Sequence, residues 1–259
     1  SLAYKTGDYS NISLAYGQYQ QATNDDLLRI ANNVGNEKSS HYILNYQYIK
    51  QGRTFRIEGY YKQYHNLVKY DPLNMYDPST YNNTGEGYAQ GIDIFWRDCY
   101  GTLKNADYWI SYSFLDTERD YRDFPSLAIP VFASKHNISV AYKQFFPTLR
   151  SFFSGTYTFA SARPYHDPNS DGFNTGRTSS YNDLSATIAY MATSNIGVFM
   201  MCTNILGINN VYGYEYSTML SEDGDYNRRA IVPPAKRLLL VGATLTLSKN
   251  GVLNQLRSL

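Results

Sequence analysis

The sequence predicts an all-β chain folded as a transmembrane antiparallel β-barrel, and three observations carry that expectation. Apolar and polar residues alternate with period two over stretches of about ten to twelve residues, longer than the five or six usual in soluble sheets. Short and long connections between these stretches alternate strictly. The chain holds 27 Tyr among 259 residues, and tyrosine joins strand preference to a ring suited to a membrane–water boundary.

Ten strands follow from the alternation, near residues 10–20, 39–49, 53–64, 86–97, 106–116, 136–146, 150–161, 180–191, 196–206 and 236–247. In RTFRIEGYYK, Phe55, Ile57, Gly59 and Tyr61 oppose Arg56, Glu58, Tyr60 and Lys62. Strands of this length match a tilted crossing of a bilayer, roughly 9–11 residues. The segment NDDLLRIANNV (24–34) is the best helix candidate, as one short helix within a loop. The links QGR, DCYGTLKN, PTL and ATSN are short, whereas five others run to about 18–30 residues. Short periplasmic turns set against long extracellular loops are the asymmetry of an outer-membrane barrel, and they leave the C-terminus periplasmic.

The two faces of each strand differ in chemistry. Ile12, Leu14, Ile57, Ile92, Ile94, Ile110, Ile138, Val140, Ile188 and Leu245 fall on the outward pattern. Arg56, Glu58, Lys62, Asp93, Arg97 and Asp183 fall on the inward one, where they face a lumen or plug and not lipid. A bilayer demands that every backbone group be paired within the protein, so spanning strands close into a barrel. A soluble sandwich explains neither the strand length nor the alternation of connections.

Composition removes other classes. A formal charge of +1 with 17% charged residues gives no electrostatic footprint for nucleic acid. No apolar run approaches the roughly 20 residues of a membrane helix. The start, SLAYKTGDYS, has neither the basic nor the apolar part of a signal peptide. Cys99 and Cys202 have no metal-ligand spacing and read as unpaired.

Several stretches resemble TonB-dependent outer-membrane receptors. NTGEGYAQGIDIFWRD (83–98) is similar to a "GxGYAxGxE" strand entry of that family, with YYKQYHNLVKYD (60–71) and YWISYSFLDTERDY (108–121) on either side. TNILGINNVYGYEYS (203–217) resembles the segment before the last extracellular loop, and PPAKRLLLVGATLTLSKN (233–250) the final strand of Bacteroidetes-type members. The resemblance implies a 22-stranded barrel closed by an N-terminal plug, with this chain supplying its last ten strands over 1–248. The family often ends on an aromatic residue of the last strand, and SKNGVLNQLRSL departs from that by continuing past it, read as a periplasmic extension over 249–259. It implies a Gram-negative outer-membrane location and uptake of a scarce nutrient with energy transmitted by TonB. The implied partners are the plug and remaining barrel, the TonB complex, outer-membrane lipids and the nutrient, with a surface lipoprotein as an optional companion. Iron chelates, cobalamin, oligosaccharides and peptides are all compatible cargoes.

Ligand contacts are expected from the long loops, where Tyr gives large contact area and Arg forked hydrogen bonds. The candidates are Tyr70, Tyr76 and Tyr81 in the second loop, then Arg119, Tyr121 and Arg122, with Glu118 and Asp120, in the third. The fourth loop adds Arg163, Tyr165, His166 and Arg177, and the fifth Tyr226, Arg228 and Arg229. No cofactor, metal or catalytic residue is expected. His41 and His136, on the inward pattern, and His65 and His166, at loop ends, define no catalytic constellation. A self-contained ten-stranded enzyme of protease or lipase type is therefore the weaker reading, as is a non-transporting structural barrel.

HDPNSDG (166–172) poses a separate question. Asp167, Asn169, Asp171 and Gly172 occupy the spacing of a calcium loop, but its twelfth position is Thr178 and not a bidentate Glu. The stretch reads better as a turn-rich extracellular loop.

Overall fold

The computed structural model describes residues 1–99 and 101–247. Its strands are β1 (Leu2–Gly7), β2 (Ser10–Gln21), β3 (Glu37–Lys50), β4 (Arg53–Lys69), β5 (Asn82–Cys99), β6 (Ala106–Asp120), β7 (His136–Phe146) and β8 (Ser151–Ala160). They continue as β9 (Pro164–Tyr165), β10 (Gly176–Arg177), β11 (Tyr181–Met191), β12 (Ile196–Thr203), β13 (Gly213–Leu220), β14 (Tyr226–Ile231) and β15 (Leu238–Leu245). One short helix, α1 (Asp25–Leu28), sits in the expected 24–34 segment, capped by the Asn24 side chain on the Asp26 N–H.

Eleven strands form one antiparallel sheet in the order β1-β2-β3-β4-β5-β6-β7-β8-β11-β12-β15. The ten expected strands are all there, and β1 is an eleventh that adds a fifth short turn at 8–9. The pairs β9–β10 and β13–β14 form two small separate sheets inside the long loops. The main sheet does not close on itself: β1 and β15 are its edges, as suits part of a larger barrel. No helix among the described residues is long and apolar enough to span a membrane. The expected extension at 249–259 lies outside the described residues.

Register confirms the two faces. Directly opposed residues share a face, and one row runs Tyr4, Ile12, Tyr46, Ile57, Ile94, Tyr112, Ile138, Phe159 across eight strands. The alternate row runs Ser13, Asn45, Glu58, Asp93, Ser113, Asn137. Leu14, Leu44, Ile92, Ile110, Ile188 and Val241 of the apolar face are exposed, which a membrane, and not water, makes favourable. One expectation is corrected: His136 opposes Phe114 and shares its outward face, where its Nδ1 lies 3.0 Å from the Tyr112 hydroxyl.

The strands β4, β5 and β6 overrun the expected lengths at the long-loop end. There the outward positions turn from Ile92 and Phe114 to Gln90, Glu86, Asp116 and Glu118, so these strands rise beyond the apolar band. At the other end the β3–β4 connection is the two-residue turn Gln51-Gly52, with φ of 45° and 82°, the left-handed pair that a tight hairpin demands. A Cβ on Gly52 would lie 2.6 Å from the Cys99 carbonyl oxygen, so glycine is required there twice over. Asp98, fully buried, ties the β5–β6 turn by accepting from Arg53 Nε (3.1 Å), Gly101 N (2.8 Å) and Thr102 Oγ1 (2.5 Å). Cys99 and Cys202 are both free thiols.

Candidate ligand site at the long-loop end

Five long loops crowd one end of the sheet: 22–36, 70–81, 121–135, 161–180 and 204–237. They are joined to one another in sequence order. The first and second share a small core of Ala31, Val34, Val68 and Tyr81, reinforced where the Asn83 side chain accepts from Gly35 N (2.6 Å) and donates to Gly35 O (3.1 Å). The second and third meet through the Arg122 N–H on Val68 O (2.6 Å) and the Tyr70 N–H on Arg122 O (3.0 Å). The third and fourth meet through the Phe124 and Phe173 rings, 4.8 Å apart, and through Asn174 Nδ2 donating to Ile129 O (3.1 Å). The fourth and fifth meet through Asn169 and Tyr226, joined by two hydrogen bonds.

This network sorts the expected ligand residues. Tyr81 is 2% exposed, stacks on Tyr70 at 5.0 Å and donates its hydroxyl to Met75 O (2.6 Å), so it builds the loop core. Burial, with the Asp123 carboxylate adding to it, pushes the Tyr70 phenol up. Tyr76, at 81% exposure, stands free of that packing. Arg177 donates to the carbonyls of Asn174 and Gly176 (both 2.8 Å), closing its own loop. Tyr165 accepts from Arg228 (3.2 Å) and packs on Tyr214 at 4.6 Å, while Arg228 also covers the Tyr214 ring. His166 is exposed and lies against Phe173, and the Asp167 carboxylate beside it accepts from Asn169 N (3.0 Å). Arg163 is held through its backbone N–H by Thr178. Glu118, Arg119 and Asp120, expected in the third loop, belong to β6; Asp120 pairs there with Lys69. Half-buried Tyr216 of β13 turns its hydroxyl in against the fourth loop, where burial and the nearby Asp167 carboxylate push its phenol up to about 12.

Arg119 occupies the head of the polar face. Its guanidinium lies 4.3 Å from the Tyr64 ring centre, 5.4 Å from Phe132 and 5.7 Å from Tyr121. Its Nε is buried without a hydrogen-bond partner. In front lies a recess of about 520 Å³, lined also by Tyr19, Glu37 and His41, with Tyr19 and His41 in ring contact at 4.6 Å. A cation on aromatic faces beside hydroxyl and imidazole groups can bind an anionic or polyhydroxylated molecule. Tyr19, Tyr64 and His41 are absent from the sequence-based ligand set. The inward alternation through Arg56, Glu58, Tyr60 and Lys62 leads directly to Tyr64 and is the signal that finds it.

The six residues expected on the lumen side all lie on the polar face. Arg56 and Asp93 border a shallow recess of about 240 Å³ with Phe95, Ser111, Ser113 and Asn137. Glu58 accepts from Asn45 (3.2 Å), Asp93 from Ser113 (2.5 Å) and Asp183 from Ser185 (2.5 Å). Arg97 forks onto Asp107 at 2.9 and 2.7 Å, and Lys62 lies over the Tyr60 ring. Among the described residues no group of three His, Cys, Asp or Glu side chains stands close enough to hold a metal, the HDPNSDG loop included.

Known proteins place the chain. A family model described as "TonB dependent receptor-like, beta-barrel" matches residues 1–211. No curated protein sequence matches the chain. Among solved structures, the ferric yersiniabactin uptake receptor FyuA from Yersinia pestis superposes with a TM-score of 0.71 at 13% identity, over 94% of this chain and 36% of that one. The pyoverdine outer membrane receptor FpvA from Pseudomonas aeruginosa PAO1 gives 0.69 at 9% identity, over 95% and 35%. The ferric-catecholate import receptor Fiu from K12 E. coli gives 0.65 at 12% identity, over 93% and 34%. The chain thus spans about a third of the length of these structures. At such identities the likeness shows the fold, and the family model shows the membership. The chain belongs to the TonB-dependent receptor β-barrel family, whose members reside in the Gram-negative outer membrane.

Proposed function

We propose that this chain is the C-terminal barrel wall of a receptor that captures a scarce nutrient at its extracellular loops and imports it with TonB-transmitted energy. The observation that carries the reading is the Arg119 recess, set at the head of the polar wall and beneath the joined loops. In this arrangement Tyr76 presents its side chain toward the outside, Arg119, Tyr64 and His41 receive the ligand, and Arg56, Glu58 and Asp93 face the plug. The chain binds and admits and does no covalent chemistry. Two of the solved structures named above are receptors for ferric yersiniabactin and ferric catecholates by their titles, and an iron chelate is one cargo that the Arg–Tyr chemistry fits. The Bacteroidetes-type assignment rests on the final-strand resemblance, and a surface lipoprotein would sit over the same loops.

The test uses the full-length receptor in its own host. A receptor-deletion strain is supplied in turn with a ferric siderophore, cobalamin, an oligosaccharide and a peptide as the limiting nutrient. Uptake of one of these falls on deletion, and Arg119→Met with Tyr64→Ala raises its half-saturating concentration about tenfold at unchanged surface abundance. Uptake of all four unaffected by deletion overturns the import reading. Unchanged half-saturation in the double variant overturns the recess as the binding site.

A further inference from the structure

The β13–β14 hairpin differs from the rest of the loop canopy in how it is held. It forms its own two-stranded sheet and shares no ladder with the main sheet. Its roots are firm. Buried Asn204 donates to Ile208 O and Lys236 O (both 2.8 Å), and buried Asn210 exchanges two hydrogen bonds with the Asn182 backbone (2.9 and 2.8 Å). Gly207, with φ of 62°, turns the chain between those two asparagines.

Farther out, the hairpin rests on the fourth loop through HDPNSDG. Asp167 folds the stretch into an Asx turn by accepting from Asn169 N (3.0 Å). The turn aims the Asn169 amide at Tyr226, the first residue of β14. Asn169 Nδ2 donates to Tyr226 O (2.9 Å), and Tyr226 N donates to Asn169 Oδ1 (2.7 Å). One side-chain amide thereby supplies the donor–acceptor pair that a neighbouring strand would. Beside it, Arg228 donates to the Tyr165 hydroxyl and lies over Tyr214. Asn169 and Arg228 are exposed, in contrast to the buried Val68–Tyr81 core that joins the first two loops. Local opening selects contacts of the exposed, polar kind first.

We propose that the β13–β14 hairpin is a hinged lid, rooted at Asn204 and Asn210 and latched in its closed position onto the fourth loop by Asn169 of HDPNSDG. The calcium-like spacing of that stretch then has another use: Asp167 shapes the turn and Asn169 is the catch. The lid opens by releasing the two amide hydrogen bonds, the Arg228–Tyr165 contact, the packing of Tyr214 on Tyr165 and the cover over the Tyr216 hydroxyl, without disturbing the core of the first two loops. The inference stands on these contacts alone and does not depend on which nutrient is carried.

Amide hydrogen exchange on the full-length receptor in detergent or bilayer tests it, with Asn169→Ala and Asn169→Asp as variants. Asn169→Ala speeds exchange across 213–231 about tenfold and leaves 27–34 and 66–70 unchanged. Asn169→Asp keeps the acceptor for Tyr226 N and loses the donor to Tyr226 O, so its exchange falls between wild type and Asn169→Ala. Unchanged exchange across 213–231 in Asn169→Ala overturns the latch. Equal acceleration across 27–34 and 66–70 overturns the hinged lid, because the canopy then opens as a single body.

Discussion

The assignment of faces is open to a sharp test at two adjacent residues. Ile94 lies near the middle of the apolar row, opposed by Ile57 and Tyr112 and flanked on its strand by Ile92 and Trp96. With a rise of about 3.4 Å per residue, each of those flanking residues is about 7 Å away, so Ile94 sits well inside the apolar band. An Arg placed there meets lipid on its open side, at a cost of about 2–4 kcal/mol near the bilayer midplane. That corresponds to about a 30- to 1,000-fold loss in the ratio of folded to unfolded receptor. Phe95, one residue on, opposes Arg56 and Ser111 on the polar face and borders the recess that holds Asp93. An Arg at 95 has water and a carboxylate within reach, and its cost stays below about 1 kcal/mol once Arg56 repulsion is set against Asp93 attraction. The assay is reversible denaturant unfolding of the full-length receptor in bilayers of fixed composition, comparing Ile94→Arg with Phe95→Arg. Equal midpoints for the two variants, or a larger loss for Phe95→Arg, would falsify the face assignment, since a one-residue slip exchanges every side chain between lipid and lumen.

Other consequences are as direct. Asp98→Ala removes the acceptor of the exposed Arg53 Nε and of three turn donors, Gly101 N, Thr102 N and Thr102 Oγ1, and is expected to destabilise the full-length barrel by about 2 kcal/mol, read as a lower denaturant midpoint; an unchanged midpoint refutes the role of the turn. Tyr81→Ala removes the centre of the loop core and costs about 3 kcal/mol locally, so hydrogen exchange rises across 22–36 and 70–81 while β2–β5 stay protected. Acidification has a defined sign in the second loop. Asp71 is held below its ordinary 3.8 by the Asn74 amide and then the Leu73 N–H, and Asp77 below the same value by the Ser79 hydroxyl and then its N–H. Both pKa values are depressed on folding, so this support is complete above about pH 4 and fades as pH falls through the folded values. Exchange across 70–81 should rise below pH 4 in wild type, and an Asp71→Asn, Asp77→Asn double variant should lose that pH dependence; a double variant that keeps the wild-type profile contradicts the assignment.

The barrel wall was readable because a bilayer imposes a two-residue period on every strand, and wherever that period holds, so does the expectation. Each departure has a local cause. The β1 segment LAYKTG is too short for its alternation of Leu2 and Tyr4 to stand out, and its ladder shifts between Lys5 and Gly7. Past Tyr64 the period fails at a bulge, where Asn66 adopts φ of 58° and Leu67 and Val68 are both buried. The early part of β5 is masked by glycine. A Cβ on Gly85 would lie 2.5 Å from the Asp120 carbonyl oxygen, so the close approach of the backbones removes the side chain that would have marked a face. The alternation puts His136 on the wrong face because it begins its strand, where the phase of an alternation is least constrained. Only its pairing with Phe114 fixes it.

The loops obey a different constraint, and it explains why their ligand residues were harder to name. Irregular backbone leaves N–H and C=O groups that must find partners when they are buried or half-buried. A side-chain amide carries the same donor and acceptor as a peptide group, so asparagine is the residue best able to bind one loop to another. Asn83 does this for Gly35 and Asn169 for Tyr226, while Asn204 closes its own loop on Ile208 and Asn210 ties the fifth loop to Asn182 of β11, each with a donor and an acceptor engaged on the backbone. Tyr and Arg were singled out for their contact chemistry, but chemistry alone does not say whether a group is already engaged. Tyr81 and Arg177 hydrogen-bond within their own loops and Tyr165 and Arg228 engage each other across two, whereas Arg119 keeps a buried Nε without a hydrogen-bond partner. The groups left over after the backbone has been satisfied are those with free energy still to gain from a ligand, and this is the physical ground for proposing the site at Arg119 and not at the loop tips.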